Sequence, residues 1–138
     1  MDTFNKDKIT SYEKVTLRLG GSRSPVEFEI KPKDSGAEIA LYHLLYRDGK
    51  DEREIQIRAL CGKEEALSLL NDCEILSWDG FYGPHPPYVL DGTAFTFDAV
   101  VNDGKMIHAY GSENFPEHFR DFTGGINTLL DRNGEKFS

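Results

Sequence analysis

Apolar side chains recur at every second position in several separate runs of this chain, and that pattern describes a half-buried β-strand. Val15, Leu17 and Leu19 fall on one side of the first run, while Glu13, Thr16 and Arg18 stay outside that set. After the break "GGSRSP", Val26, Phe28 and Ile30 resume the period against Glu27, Glu29 and Lys31, so the two runs read as a hairpin with one wet face. The run Ala37 to Tyr46 is apolar on both parities, which places it centrally in a sheet. Asp48-Gly49 supplies the positive φ of a tight turn, although the mixed-sign run Arg47 to Glu54 suggests a longer, solvated connection. Ile55, Ile57 and Ala59 then mark a fourth strand.

The period next changes. In "KEEALSLLNDC", Ala66, Leu67, Leu69, Leu70 and Cys73 form an apolar face at helical spacing, with two glutamates in the first turn where the helix dipole favours them. "EIL" follows as a candidate short strand. Thr93 to Val101 alternates again, and "VNDGKMIHAY" carries a strong hairpin signal. A two-residue loop at Asp103-Gly104 would pair Asn102 with Lys105 and Ala99 with His108. It would put Phe97, Ala99, Val101, Met106, His108 and Tyr110 on one face. A last helix is expected from an N-cap at Asn114, with Pro116 in its first turn and an apolar stripe of Phe115, Phe119, Phe122, Ile126 and Leu129. Gly124-Gly125 inside that stripe points to close packing against another backbone.

These runs predict an α+β fold: an antiparallel sheet of about six strands with two helices, the C-terminal helix packed on one face. Residues 1–10 read as a flexible segment, 11–134 as one domain and 135–138 as a frayed end. A chain of 138 residues, 38% hydrophobic and 12% aromatic, can bury such a core in one domain.

Charge narrows the function. With 24 acidic and 16 basic residues the net charge is −8, and no run of Lys and Arg offers the counterion release that nucleic-acid binding draws on. Anionic membrane surfaces are disfavoured for the same reason. No stretch approaches the roughly 20 apolar residues of a membrane span, and the first residues lack a secretory signal, so a cytoplasmic location is expected. Cys61 and Cys73 flank the first helix and read as reduced thiols; neither CxxC nor a Cys/His zinc spacing is present.

The segment "SWDGFYGPHPPYVLDG", residues 77–92, holds four aromatic residues and three prolines. Prolines 84, 86 and 87 stiffen the backbone and remove amide donors, which bars an interior strand. Two readings of its rings stand side by side. Trp78 and Phe81 plug the end of the core, with Tyr82 and Tyr88 half-exposed; or the loop presents its rings to a peptide or sugar. Asp79 and Asp91 stand in Asp-Gly pairs whose ordinary role is turn chemistry. A catalytic carboxylate pair would need them within about 5–10 Å, with a raised pKa on one. His85 reads as a surface histidine and His108 as a satisfied core residue; His43 and His118 fit no pattern. A zinc site from His85, His108 and either aspartate has no ligand spacing to recommend it, so no metal and no cofactor are expected. Motifs for a nucleophile or a phosphate loop are absent.

"LLNDCEILSWDGF", "VLDGTAFTFDAVVNDGKMIHAYGSENFP" and the aromatic helix after them resemble a family of small uncharacterised bacterial domains of unknown function, over roughly residues 67–130. That resemblance implies an independently folding domain and assigns no catalytic residue.

Two functions follow from the residues. The first is a non-catalytic binding domain for a protein, peptide or carbohydrate ligand. Its candidate ligand-binding residues are Trp78, Asp79, Phe81, Tyr82, His85, Tyr88, Asp91 and His108. The alternative is a small hydrolase or metal-assisted enzyme with Asp79, Asp91, His85 or His108 in a pocket. The chain is expected as a monomer or as a weak homodimer paired through an exposed sheet edge.

Overall fold

The computed structural model describes residues 8–21, 24–89 and 92–136. Six long strands form where the period of two predicts them. They are β1 (Tyr12–Gly21), β2 (Val26–Lys33), β3 (Gly36–Arg47), β4 (Lys50–Gly62), β6 (Thr93–Val101) and β7 (Lys105–Ser112). Two short edge pieces join them, β5 (Tyr82–Gly83) and β8 (Gly134–Lys136). The sheet runs in the order β5-β7-β6-β1-β2-β3-β4-β8. Every pairing is antiparallel except the short parallel one between β5 and β7. Helices α1 (Lys63–Asp72) and α2 (Phe119–Asn133) cover one face of this α+β sheet. No helix among the described residues is long and apolar enough to cross a membrane.

The inner face carries the core. Val15, Leu17, Phe28, Ile30, Ile39, Phe97, Ala99 and Ile107 point inward at alternate positions and are buried. The α2 stripe of Phe119, Phe122, Ile126 and Leu129 closes over them, with Ala66 and Leu70 from α1. A 3-10 turn at Ile75–Trp78 stands where "EIL" suggests a strand, and it drives Trp78 into the middle of this layer. The Trp78 ring meets Phe97 and Phe122 edge-on, at centroid distances of 4.9 and 5.5 Å, and stacks on Phe119 at 5.9 Å. Its indole N–H donates to the Glu117 carbonyl at 3.0 Å, which satisfies the one polar group that burial would otherwise penalise.

Several expectations are corrected. The β6–β7 hairpin turns through three residues, Asn102, Asp103 and Gly104, all at positive φ, so Val101 pairs with Lys105 and Ala99 with Ile107. Asn102 leaves the ladder because its side chain has other work. Its amide oxygen accepts from the Thr10 backbone N–H at 2.8 Å, and its nitrogen donates to the Lys8 carbonyl at 3.0 Å. The one-residue shift turns Met106, His108 and Tyr110 outward and Ile107 and Ala109 inward. The segment near residue 10 is likewise not loose: Ile9 is buried, and its N–H and C=O both bond the Asn71 side chain.

Helix α2 begins at Phe119, not after Asn114. Residues ahead of it are held by the Trp78–Glu117 bond and by a turn from the Pro116 carbonyl to the Phe119 N–H, while Phe115 stacks back on Phe119 at 4.6 Å. Asp48-Gly49 closes the β3–β4 hairpin in two residues, and the charged run after it is strand, not loop. The glycine pair does not abut another backbone: a Cβ on Gly125 would lie 2.4 Å from the side-chain Cδ1 of Leu69 in α1, and one on Gly124 would meet nothing within 4 Å. Both cysteines are free thiols; burial, then the Asp121 and Asp72 carboxylates, push Cys73 up to about 11.

Candidate functional site

The loop after Trp78 is fastened to the outer edge of β7 along its length. Asp79 Oδ1 accepts from the His108 backbone N–H at 3.1 Å, Gly80 N–H donates to the His108 carbonyl, and Phe81 accepts from the Tyr110 N–H. Gly83 and Gly111 lie so close to the Asn114 carbonyl that a Cβ on either would stand 2.2 or 2.6 Å from it. His85 bridges the loop to the sheet: Nε2 donates to the Val89 carbonyl and Nδ1 meets Ser112 Oγ at 2.7 Å. The prolines thus stiffen a strap that caps a sheet edge, a device that keeps a strand edge from pairing with another chain.

That strap divides the candidate residues. Trp78 is sealed in the core and is unavailable to a ligand, because the 3-10 turn aims it inward. Phe81 is half-buried against Phe95. Asp79 and His85 are engaged as latches. Asp91 lies outside the described residues. Tyr82 and Tyr88 remain outside, 57% and 95% exposed. His108 is not on the apolar face: the hairpin shift places it on the helix-free side, where Nδ1 donates to Asp98 Oδ1 at 2.6 Å.

Register then assembles a surface on that helix-free side that no single stretch of sequence announces. Tyr82 pairs with Tyr110, Tyr110 with Thr96, Thr96 with Arg18, Arg18 with Glu27 and Glu27 with Tyr42. The parallel row beside it runs His108, Asp98, Thr16, Glu29, Ala40 and Arg58. At the β5–β7 end the rings of Tyr82 and Tyr110 lie 4.9 Å apart, and His108 lies 5.5 Å from Tyr110.

Toward β2 and β3 the row becomes ionic. Glu27, Glu29 and Glu38 sit on a face with no helix over it, yet are buried. Long cationic side chains roof them. Arg18 Nε and Arg53 Nη1 reach Glu27 at 2.8 and 2.7 Å, and Lys14 and Arg53 reach Glu29 at 3.5 Å each. Lys31, Lys33 and Arg58 reach Glu38 at 3.4–3.8 Å. Arg53 also lies over the Tyr42 ring, 4.1 Å from its centroid, and burial with the nearby Glu29 carboxylate raises the Tyr42 phenol. The outer side of the two-sided apolar run of β3 is only partly covered: Arg53 lies over Tyr42, while Tyr46 stands 69% exposed.

Between the rings and the ion pairs lies an open depression of about 420 Å³. Lys14, Arg18 and Arg53 supply its donors, Thr16 and Thr96 its hydroxyls, and Glu27 and Asp98 its carboxylates. Sequence analysis missed it because Arg18, Glu27 and Arg53 stand on three different strands.

His118 is the other residue whose surroundings sequence left unread. It opens α2 at φ 69° and bridges two segments, with Nε2 2.9 Å from Glu74 and Nδ1 3.1 Å from Asp121. Hydrogen bonding to Asp121 is the largest influence on the imidazole and raises it; burial opposes, and the bond to Glu74 with the charges of Glu74 and Glu117 leaves it above its usual value. Glu74, Glu117 and His118 have ligand atoms within 4.8 Å of one another and could hold a metal ion. The positive end of the α2 dipole at His118 works against a cation there. A comparison of the chain with protein-family models and with curated proteins found no match, so its function has to be argued from this geometry.

Proposed function

We propose that this chain is a non-catalytic binding domain that receives its ligand on the helix-free face of the sheet, at the β5–β7 end. The observation that carries this reading is the contact of Tyr82 and Tyr110, 4.9 Å apart at their centroids and 57% and 46% exposed. The core is already closed on the opposite face by α1, α2 and Trp78, so these rings add nothing to it. Large rings held rigidly in water are what recognition surfaces use, because they offer contact area with little conformational entropy to lose. Here the rigidity comes from the strap, whose latches at Asp79, Phe81 and His85 fix Tyr82 beside β7. The ligand class is a peptide, a protein surface or a carbohydrate. Resemblance to the small bacterial domains, a cytoplasmic location and a monomeric or weakly dimeric state belong to the same proposal.

Probing the purified protein against an immobilised panel of peptides and oligosaccharides tests it. Tyr82→Ala and Tyr110→Ala should retain the fold by circular dichroism and lose the signals of the parent. Signals that persist in both variants would remove the tyrosine end of the face from consideration.

A second reading has one observation in its favour, the Asp98–His108 pair at 2.6 Å, in which a carboxylate orients an imidazole as it does for a general base. Asp79 and His85 do not join it, since each is committed to the strap. If this reading holds, the protein hydrolyses some member of a chromogenic ester panel and His108→Ala abolishes the activity.

A further inference from the structure

The charges on the helix-free face are layered. Three carboxylates lie underneath, with side chains 4–7% exposed, and six cations lie above them, with side chains 41–62% exposed. Over β1 to β4 a ligand therefore meets Lys and Arg side chains before Glu27, Glu29 and Glu38, although the chain as a whole carries −8; at the edge of the depression Asp98 is an exposed carboxylate, bonded to His108. Lys14, Arg18 and Arg53 stand over Glu27 and Glu29, three cations on two carboxylates. These ion pairs use one nitrogen of each guanidinium, Nε of Arg18 and Nη1 of Arg53. A guanidinium has five N–H donors, so each retains some that can face an anion.

We infer that this face takes an anionic saccharide, with its acid groups over Lys14, Arg18 and Arg53 and a sugar ring against Tyr110. The inference rests on the binding role proposed above and names the ligand for it. Tyr110 and Arg18 share a row through Thr96, two strand spacings apart, or about 10 Å. Two linked sugar rings cover that span, and the hydroxyls of Thr16 and Thr96 border the depression between.

The geometry disfavours other polyanions. An acidic peptide draws much of its affinity from main-chain bonds to a sheet edge, and this depression lies in mid-face, where the backbone is already paired. Single-stranded nucleic acid wants rings interleaved with cations along its path. Here the rings lie at one end and the cations at the other, and the net charge repels a long polyanion more than a short one.

Isothermal titration calorimetry on the full chain tests the inference. The probes are a disulfated disaccharide, its unsulfated parent, inorganic sulfate, a short glutamate peptide and a short oligothymidylate. The disulfated sugar should bind tightest, and more weakly as salt rises. Arg18→Gln, which leaves Glu27 bonded to Arg53, should weaken it about tenfold, and Lys14→Ala should act in the same direction. Equal binding of the unsulfated parent, still lost in Tyr110→Ala, would overturn the anion inference and leave the binding role standing. Tighter binding of sulfate alone, of the peptide or of the oligonucleotide would overturn the saccharide assignment. Failure of the disulfated sugar to bind would overturn the inference itself. Sugar binding that ignores both Tyr110→Ala and Arg18→Gln would overturn the site and the binding role together.

Discussion

On the inner face of the sheet, Trp78, Phe97 and Phe122 exclude water by ring-to-ring packing beneath two helices. On the outer face, Glu27 and Glu29 are almost as dry, but what covers them is a roof of Lys14, Arg18 and Arg53 that itself stands in solvent. The inner arrangement is apolar and insensitive to ions. The outer one is held by charges whose partners are half in water, so salt and competing ligands can reach them. A surface of the second kind can exchange one anion for another; a core of the first kind cannot.

Trp78→Ala should have the largest effect, destabilising the protein by about 3–5 kcal/mol in urea unfolding, with a loss that does not change with salt. A loss below 1 kcal/mol would mean that the inner face is not the core. Glu27→Gln comes next. It keeps the shape but leaves Arg18 without its carboxylate and Arg53 with Glu29 alone, at a cost of about 1–2 kcal/mol that shrinks at high salt. If that cost is salt-independent, the contrast between the faces fails.

Tyr12→Phe sharpens the same contrast from inside. The Tyr12 hydroxyl is buried with no hydrogen-bond partner among the described residues, so its removal should raise stability by up to about 1 kcal/mol. Gly124→Ala should raise it by a somewhat smaller amount, because a Cβ there meets nothing within 4 Å and alanine favours a helix by about 1 kcal/mol at most. Gly125→Ala should gain less, since Leu69 must swing aside.

The smallest effect concerns His118. Its folded-state value is raised above the ordinary 6.5, so its stabilising contribution is full below that value and is lost as pH rises through the elevated one. Unfolding midpoints below pH 6.5 and in alkaline solution should differ in that sense for the parent, and the difference should narrow in Asp121→Asn.

The strands were legible because alternation is a local property: Val15, Leu17 and Leu19 announce the face of β1 without reference to any partner. Tertiary demands overrode local ones elsewhere. Asn102 abandons a two-residue turn in order to hold the backbone near Thr10, and His108 changes faces as a consequence. Two edge pieces of two and three residues are too short to display a period at all. The dry carboxylates read as wet, because alternation assigns a face and says nothing of an arginine arriving from a strand 26 residues away. The loop yielded half its meaning. Its stiffness and aromatic content were plain, but which ring turns inward depends on the 3-10 turn at Trp78.

The most direct test of the account is an amide-shift map of the isotope-labelled protein titrated with the disulfated disaccharide. The account predicts that shifts gather on the row Tyr110, Thr96 and Arg18 and its neighbours Thr16 and Lys14, and spare α1 and α2. Shifts concentrated on the helices, or scattered without regard to that row, would contradict it.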